Sequence, residues 1–388
     1  MKRLIVRIRR KLRFYIFKLV CLVIECTHPL DEEKICFLSD NREVMGGNLK
    51  SIYDYLEGSS YKRVIEFKRD RRVRRTYKEK LSLAYNLSTS RYILLEDLST
   101  AITYFPVRKH QDVVQLWHGP GAYKRFGYSR KKTGEKIGTI HKGYKKYTKV
   151  ITSGEKIRWC YAEAFGLPLD KVKATGFPRT DDFYHQDYLD HVKETFYQHY
   201  PELKDKKIIL FAPTYRGVVP RDATYDFSKL DLDALYEKFH KDYVIIFKWH
   251  PALYNNIVIN KVKAPDFEKY NGFYRDFSFY RDIQELLVVC NTLVTDYSSL
   301  IFDYVLLNKP IVYYTYDLED YTGYNGRGLY FPFETYVYGE VAHNMPELIT
   351  ALQKGNLENQ KRKVFFETFM NACDGQATQR AAQYILRG

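Results

Sequence analysis

Six cysteines in 388 residues, at positions 21, 26, 36, 160, 290 and 373, include no CxxC pair and no spacing that suits a zinc ribbon. A chain this long buries enough surface to fold without staples, so the cysteines read as reduced thiols of a cytosolic protein. Long apolar runs are missing too. Leu19–Ile24 falls far short of the ~20 residues that cross a bilayer, and even Phe14–Ile24 contains Lys18, which excludes a spanning helix there. Glu25-Cys26-Thr27-His28-Pro29 is a poor signal-peptide cleavage site. There is no Walker A loop, no GxGxxG after the first strand and no HExxH. The DxD pair Asp231-Leu232-Asp233 falls inside an expected helix and reads as a solvated face, so neither a metal nor an organic cofactor is called for.

Acidic residues are the other deficit: 47 Asp and Glu against 62 Lys and Arg leave +15. Residues 1–24 carry +8, residues 62–80 carry +7 and residues 122–149 carry +9, so the excess lies in the first 150 residues and the remainder is acidic. A partner made of phosphate, either lipid headgroup or phosphorylated substrate, suits such a field. In the first segment Lys2, Arg3, Arg7, Arg9, Arg10, Lys11, Arg13 and Lys18 interleave with apolar residues. This pattern predicts either a basic amphipathic helix lying on an anionic membrane surface, peripheral to the cytoplasmic face, or a helix packed on the first domain with its basic face solvated.

Hydrophobic residues at 45% and charged residues at 28% are globular values. Apolar runs at 34–39, 63–67, 92–95 and 113–117 alternate with helical stretches, and the rhythm restarts at 207–212, 243–248, 293–295 and 310–315. This predicts an α/β protein with two Rossmann-like, doubly wound domains. The expected division is a basic helix over 1–30, an N-terminal domain over 31–200 and a C-terminal domain over 201–388 with closing helices. In such sheets ligands bind beyond the carboxyl ends of the strands. Four strand ends carry polar clusters there: WHG, PTYRG, WHP and DYSS.

His118 opens the loop Gly119-Pro-Gly-Ala-Tyr-Lys-Arg-Phe-Gly127, where an imidazole can act as general base on a hydroxyl, and Lys124 on the same loop can meet phosphate oxygens. His250, directed by Pro251, can bind phosphate or protonate a leaving group. Asp296-Tyr297-Ser298-Ser299 leads into an apolar helix, a strand-to-helix turn that can seat a diphosphate, although capping alone would explain Ser298. Asp303 on that helix can reach ribose hydroxyls, and Thr214, Arg216 and Arg327 offer donors to anionic oxygens. A nucleic-acid surface would account for the charge but leaves both histidines and DYSS unused, and no RRM, KH or helix-turn-helix signature is present.

VVQLWHGPGAYKRFGY, ATGFPRTDDF, IILFAPTYRG, VIIFKWHP, LVTDYSSLIFDYVLLNKPIVYYTYDLEDY and RGLYF, in this order, closely resemble the CDP-glycerol glycerophosphotransferase family of teichoic acid primases and polymerases. The resemblance implies a GT-B fold, two Rossmann-like domains facing a cleft. It implies transfer of glycerol phosphate from CDP-glycerol, or ribitol phosphate from CDP-ribitol, to a hydroxyl of a polyprenyl-diphosphate-linked acceptor, with release of CMP. By motif, His118 and His250 match the histidines at the reacting phosphate and Ser298 and Ser299 the pyrophosphate-binding serines. Arg179 of ATGFPRTDDF, Thr214, Arg216, Asp296 and Pro251 are taken as further substrate-binding positions. A GT-B glycosyltransferase using a nucleotide sugar would share the same fold.

Overall fold

The alternating pattern folds as two units, residues 1–181 with 368–388 and residues 182–367. The structure, a computed structural model, describes residues 2–70, 73–133, 139–217, 219–322 and 328–386.

The first unit holds a six-stranded sheet: β1 (Asp31–Ser39), β2 (Lys62–Phe67), β3 (Ser90–Leu95), β4 (Asp112–Gln115), β5 (Lys149–Thr152) and β6 (Val172–Ala174), in the order β2-β1-β3-β4-β5-β6. Every pairing is parallel. A parallel sheet is covered on both faces, which is why Ile35-Cys36-Phe37-Leu38 and Ile93-Leu94-Leu95 are buried as continuous runs. The strand order reverses between β1 and β3, the place where open α/β sheets bind ligands. Leu38 pairs with Leu95 and Leu95 with Gln115, so β1, β3 and β4 finish level and bring Ser39, Glu96 and Leu116 to one edge.

The expected boundaries need correction. The helix Gln186–His199, expected in the first domain, belongs to the second unit, while the helix Ala377–Leu386, expected in the second domain, belongs to the first. The return has a clear physical cause. Ala381, Ala382 and Ile385 join Ile35, Phe37, Leu94, Val114 and Ile151 in one core, and Asp181 caps this last helix by accepting from Ala377 N at 2.9 Å and Thr378 N at 2.7 Å. Gly176, at φ +85°, lets residue 372 approach so closely that a Cβ would lie 2.0 Å from the Ala372 carbonyl oxygen.

The N-terminal helix, Lys2–Thr27, packs on this unit through Cys21 and Ile24, and Phe14 stacks on Tyr104 with ring centroids 4.0 Å apart. Its neighbour is the helix Tyr77–Thr89, which opens with a complete capping box between Thr76 and Glu79. The helix thus packs on the first unit, and its outward face is not purely basic. Leu12, Tyr15, Ile16, Leu19 and Val23 are exposed beside Arg13 and Lys18. Among the described residues no helix is long and apolar enough to cross a membrane.

The second unit contains β7 (Lys207–Phe211), β8 (Tyr243–Phe247), β9 (Tyr274–Asp276), β10 (Thr292–Thr295), β11 (Ile311–Tyr314) and β12 (Glu340–Ala342), in the order β12-β11-β10-β7-β8-β9, again all parallel. Renumbered within the unit this is the 3-2-1-4-5-6 Rossmann order, with its reversal between β7 and β10. The core joins Ile209, Phe211, Ile245, Phe247, Val294 and Val312 to Leu235 and Phe239 of one helix and Leu348 and Leu352 of another. Asp231 does not lie inside a helix. It caps Leu232–Phe239 by accepting from Ala234 N at 3.0 Å, and Asp233 accepts from the Tyr270 hydroxyl at 2.7 Å. The expected helix from Ser298 begins at Leu300, runs to Tyr304 and tightens into a 3-10 turn over Val305–Leu307.

Candidate active-site residues

In the first unit the expected strand 113–117 stops at Gln115, because Trp117 takes φ +55°, a left-handed conformation that is strained for a bulky side chain. The strain is held from several sides. Asn48 Nδ2 donates to the Trp117 carbonyl at 2.8 Å, Trp117 N donates to Gln115 Oε1 at 2.8 Å, and the indole packs on Phe126 and Phe165. This turn throws the His118 ring outward, with its side chain 56% exposed. Its Nδ1 lies 3.1 Å from the Glu96 carbonyl oxygen and 3.4 Å from Asp97 Oδ1. Both are acceptors, so Nδ1 carries the proton and Nε2 of the neutral ring keeps its lone pair.

Arg179 joins this cluster: it is buried, its backbone N donates to Asn48 Oδ1 at 3.1 Å, and Nη2 donates to the His118 carbonyl at 3.3 Å. Beneath them Glu96 is wholly buried, with Oε2 accepting from Arg42 Nε at 2.7 Å and Oε1 from Leu49 N at 3.2 Å. Burial pushes the Glu96 carboxyl up, against the pull of Arg42. Gly47, at φ +60°, is required here, since a Cβ would meet Glu96 Oε1 at 2.6 Å. Lys124 is half-buried on the loop after His118, between Tyr123 and Arg125; Arg125 pairs with Glu163 at 3.2 Å.

In the second unit His250 is the residue before the helix Pro251–Val258. It caps that helix, its Nδ1 accepting from Ala252 N at 3.1 Å, and its ring packs on Tyr215 at 4.7 Å. Here Nδ1 holds the lone pair, so Nε2 of the neutral ring carries the proton and is a donor. Pro251 takes the first helical position, where its missing N–H costs nothing. The two histidines thus present the same nitrogen in opposite states: His118 an acceptor Nε2, His250 a donor Nε2.

At the β7/β10 reversal, Asp296 Oδ1 accepts from Thr214 N at 2.8 Å and Tyr297 N at 2.7 Å. Arg216 donates through Nη1 to Asp296 Oδ2 at 2.9 Å and to the Thr214 carbonyl at 2.8 Å, and through Nε and Nη2 to both carboxylate oxygens of Asp317. The rings of Tyr225, Tyr297, Tyr316 and Tyr321 surround the guanidinium at 5.2–5.7 Å. Burial works against the Arg216 charge, but Asp296 and then Asp317 outweigh it, so its pKa is raised. Its guanidinium nitrogens are therefore committed within the protein, which makes Arg216 a tie between three strand-end loops where the sequence suggested an open donor. Ser298 Oγ accepts from Leu300 N at 3.3 Å, from one residue ahead of the N-cap Ser299, which is exposed and makes no side-chain capping bond. Asp303 is 3% exposed, on a helix where Ile301, Phe302 and Tyr304 are also buried. Arg327 lies outside the described residues.

Sequence reasoning missed Glu96, Asp97, Asn48, Arg42 and Asp317. Two acids directly after an apolar strand, in LLEDL, were the available signal. Among the described residues no group of three or more His, Cys, Asp or Glu is placed to hold a metal ion.

Two Rossmann-like units, each with polar side chains gathered at its strand-order reversal, define a GT-B-like α/β protein. The fold of the wall teichoic acid polymerase TagF superposes with a TM-score of 0.74 at 21% identity, covering 99% of this chain and 98% of that one. The chain belongs to the CDP-Glycerol:Poly(glycerophosphate) glycerophosphotransferase family, whose model matches residues 20–387. Similar proteins include the teichoic acid poly(ribitol-phosphate) polymerase of Bacillus spizizenii, 38% identical over 92% of this chain and 57% of that protein. The teichoic acid ribitol-phosphate primase of the same organism is 32% identical over 92% of both. The chain thus spans little more than half the length of the first of these relatives.

Proposed function

We propose that the chain transfers glycerol phosphate from CDP-glycerol to a hydroxyl of a polyprenyl-diphosphate-linked acceptor, releasing CMP, in the synthesis of teichoic acid or a related wall polymer. The observation that carries this reading is the opposite commitment of the two imidazoles. Nε2 of His118 takes the proton of the acceptor hydroxyl as its oxygen bonds to the phosphorus bearing glycerol. The bridging P–O bond breaks, and Nε2–H of His250 hydrogen-bonds to phosphate oxygen as charge passes to the departing CMP. Phosphoryl transfer of this kind relies on positioning and charge neutralisation, which Lys124, Arg179, Arg327 and the turn at Ser298 and Ser299 would supply. Thr214, Arg216, Asp296 and Pro251 would shape the donor seat.

Ribitol is the second reading. Ribitol-phosphate enzymes among the relatives share 38% and 32% identity with this chain, against 28% for the glycerol-phosphate primase of Bacillus subtilis. Incubation with CDP-glycerol and CDP-ribitol separately, over lipid-linked acceptors, with CMP and product mass followed, decides between them. No CMP from either donor would refute the function.

The same reading puts the protein on an anionic membrane surface at the cytoplasmic face. What supports it is the exposed row Leu12, Tyr15, Ile16, Leu19 and Val23, flanked by Arg13 and Lys18. The adjacent helix adds Tyr77, Leu81 and Tyr85 at four-residue spacing, also exposed, with Lys78 beside them. Apolar side chains ringed by cations suit an interface of acyl chains and anionic headgroups.

A further inference from the structure

We infer that Asp97 is the positioning residue for His118, holding the charge that the ring acquires when it takes a proton; the inference rests on the function proposed above. The geometry divides the work between two acceptors at the end of β3. The Glu96 carbonyl, 3.1 Å from Nδ1, fixes which nitrogen carries the proton. A neutral carbonyl does little for an imidazolium, whereas the Asp97 carboxylate, 3.4 Å from the same nitrogen, meets its positive charge directly. The Glu96 side chain cannot serve, because Arg42 and Leu49 N engage it below the turn.

The need for such an anion is visible in the same cluster. Arg179 Nη2 lies 3.3 Å from the His118 carbonyl, so a guanidinium already sits beside the residue that must become cationic. Asp97 is built into place rather than loose. Ser39 Oγ of β1 donates to Oδ2 at 3.4 Å, and Gln115 Nε2 of β4 donates to the Asp97 carbonyl at 3.3 Å. Gln115 also receives Trp117 N, so one side chain links the Asp97 backbone to the strained turn that aims His118.

The test compares wild type, Asp97→Asn, His118→Asn and the double variant by CMP release. Asp97→Asn is expected to lower kcat about 10- to 100-fold while the donor KM stays within about twofold, since the base remains but its cationic form loses its partner. In the His118→Asn background the second substitution should cost nothing further. An equal loss in both backgrounds would mean that Asp97 merely supports the fold, and an unchanged kcat in the single variant would equally overturn the inference. A second measurement needs no turnover: nitrogen NMR of the histidine-labelled protein, with the His118 signals assigned by their absence from His118→Asn. Nδ1 should be the protonated nitrogen in wild type, and Asp97→Asn should move its shift while leaving the other histidines in place. An unmoved Nδ1 signal would refute the contact, whereas absence of CMP from wild type with a moved signal would count against the proposed reaction and leave the Asp97–His118 pairing standing.

Discussion

Replacing Arg216 by methionine keeps most of the side-chain volume and removes a cation that Asp296 and Asp317 share. The side chains of Asp296 and Asp317 are only 2% and 15% exposed, so water cannot take over the role of the guanidinium. Breaking a buried ion pair by removing one partner costs about 3–5 kcal/mol. Arg216 is itself 16% exposed, which places the expectation at the lower end, about 3 kcal/mol. For a unit of this size each kcal/mol corresponds to about 2–4 °C, so the melting temperature of the second unit should fall by about 6–12 °C. Calorimetry or circular dichroism reads the transition. Adding Asp296→Asn and Asp317→Asn to the methionine variant should recover part of the loss, because three buried charges are then replaced by neutral groups. A melting temperature within about 1 °C of wild type would refute this account. If that result came with loss of CDP-glycerol binding, Arg216 would be the direct substrate contact that its place in PTYRG suggests.

His118→Ala and His250→Ala should each lower turnover at least about a hundredfold, the range for positioned acid–base and electrostatic groups, with the melting temperature nearly unchanged for His118→Ala and lowered by a few degrees for His250→Ala, which also loses a helix cap; near-normal turnover would remove the residue from the mechanism. Ser298→Ala with Ser299→Ala should weaken CDP-alditol binding at least about tenfold by calorimetry, since a hydrogen bond to a charged group contributes about 1.5–3 kcal/mol. Unchanged affinity would mean that the turn after β10 does not hold the diphosphate. Ile16→Gln with Leu19→Gln changes only exposed positions, so it should leave folding intact and reduce sedimentation with anionic vesicles, and the remaining binding should fall steeply with salt. Equal sedimentation of wild type and variant would sink the membrane reading.

The long apolar strands were legible because a doubly covered parallel sheet demands uninterrupted burial, and VVQLW, IILFA and VIIFK carry that demand on their face. Short strands such as Val172–Ala174, Tyr274–Asp276 and Glu340–Ala342 were not, since three residues make no pattern and their pairing is decided by neighbours far along the chain. The same distinction runs through the site. His118 and His250 are marked locally, by Gly and Pro beside them at strand ends. Asp97 becomes a partner of His118 only because β3 lies between β1 and β4, and Asp317 becomes a partner of Arg216 only across a hundred residues.

The return of Ala377–Leu386 to the first sheet sets an order on the ribosome. Residues 182–367 include every strand of the second sheet, so that unit needs no later-made residue to complete its sheet. The first unit, although it leaves the exit tunnel earlier, must wait for Ala381, Ala382 and Ile385 to fill its core and for Asp181 to receive the amides of Ala377 and Thr378. Until then the face of the sheet that this helix covers stays open to water, so the nascent chain is most exposed to misassembly and chaperone capture in the half that was made first.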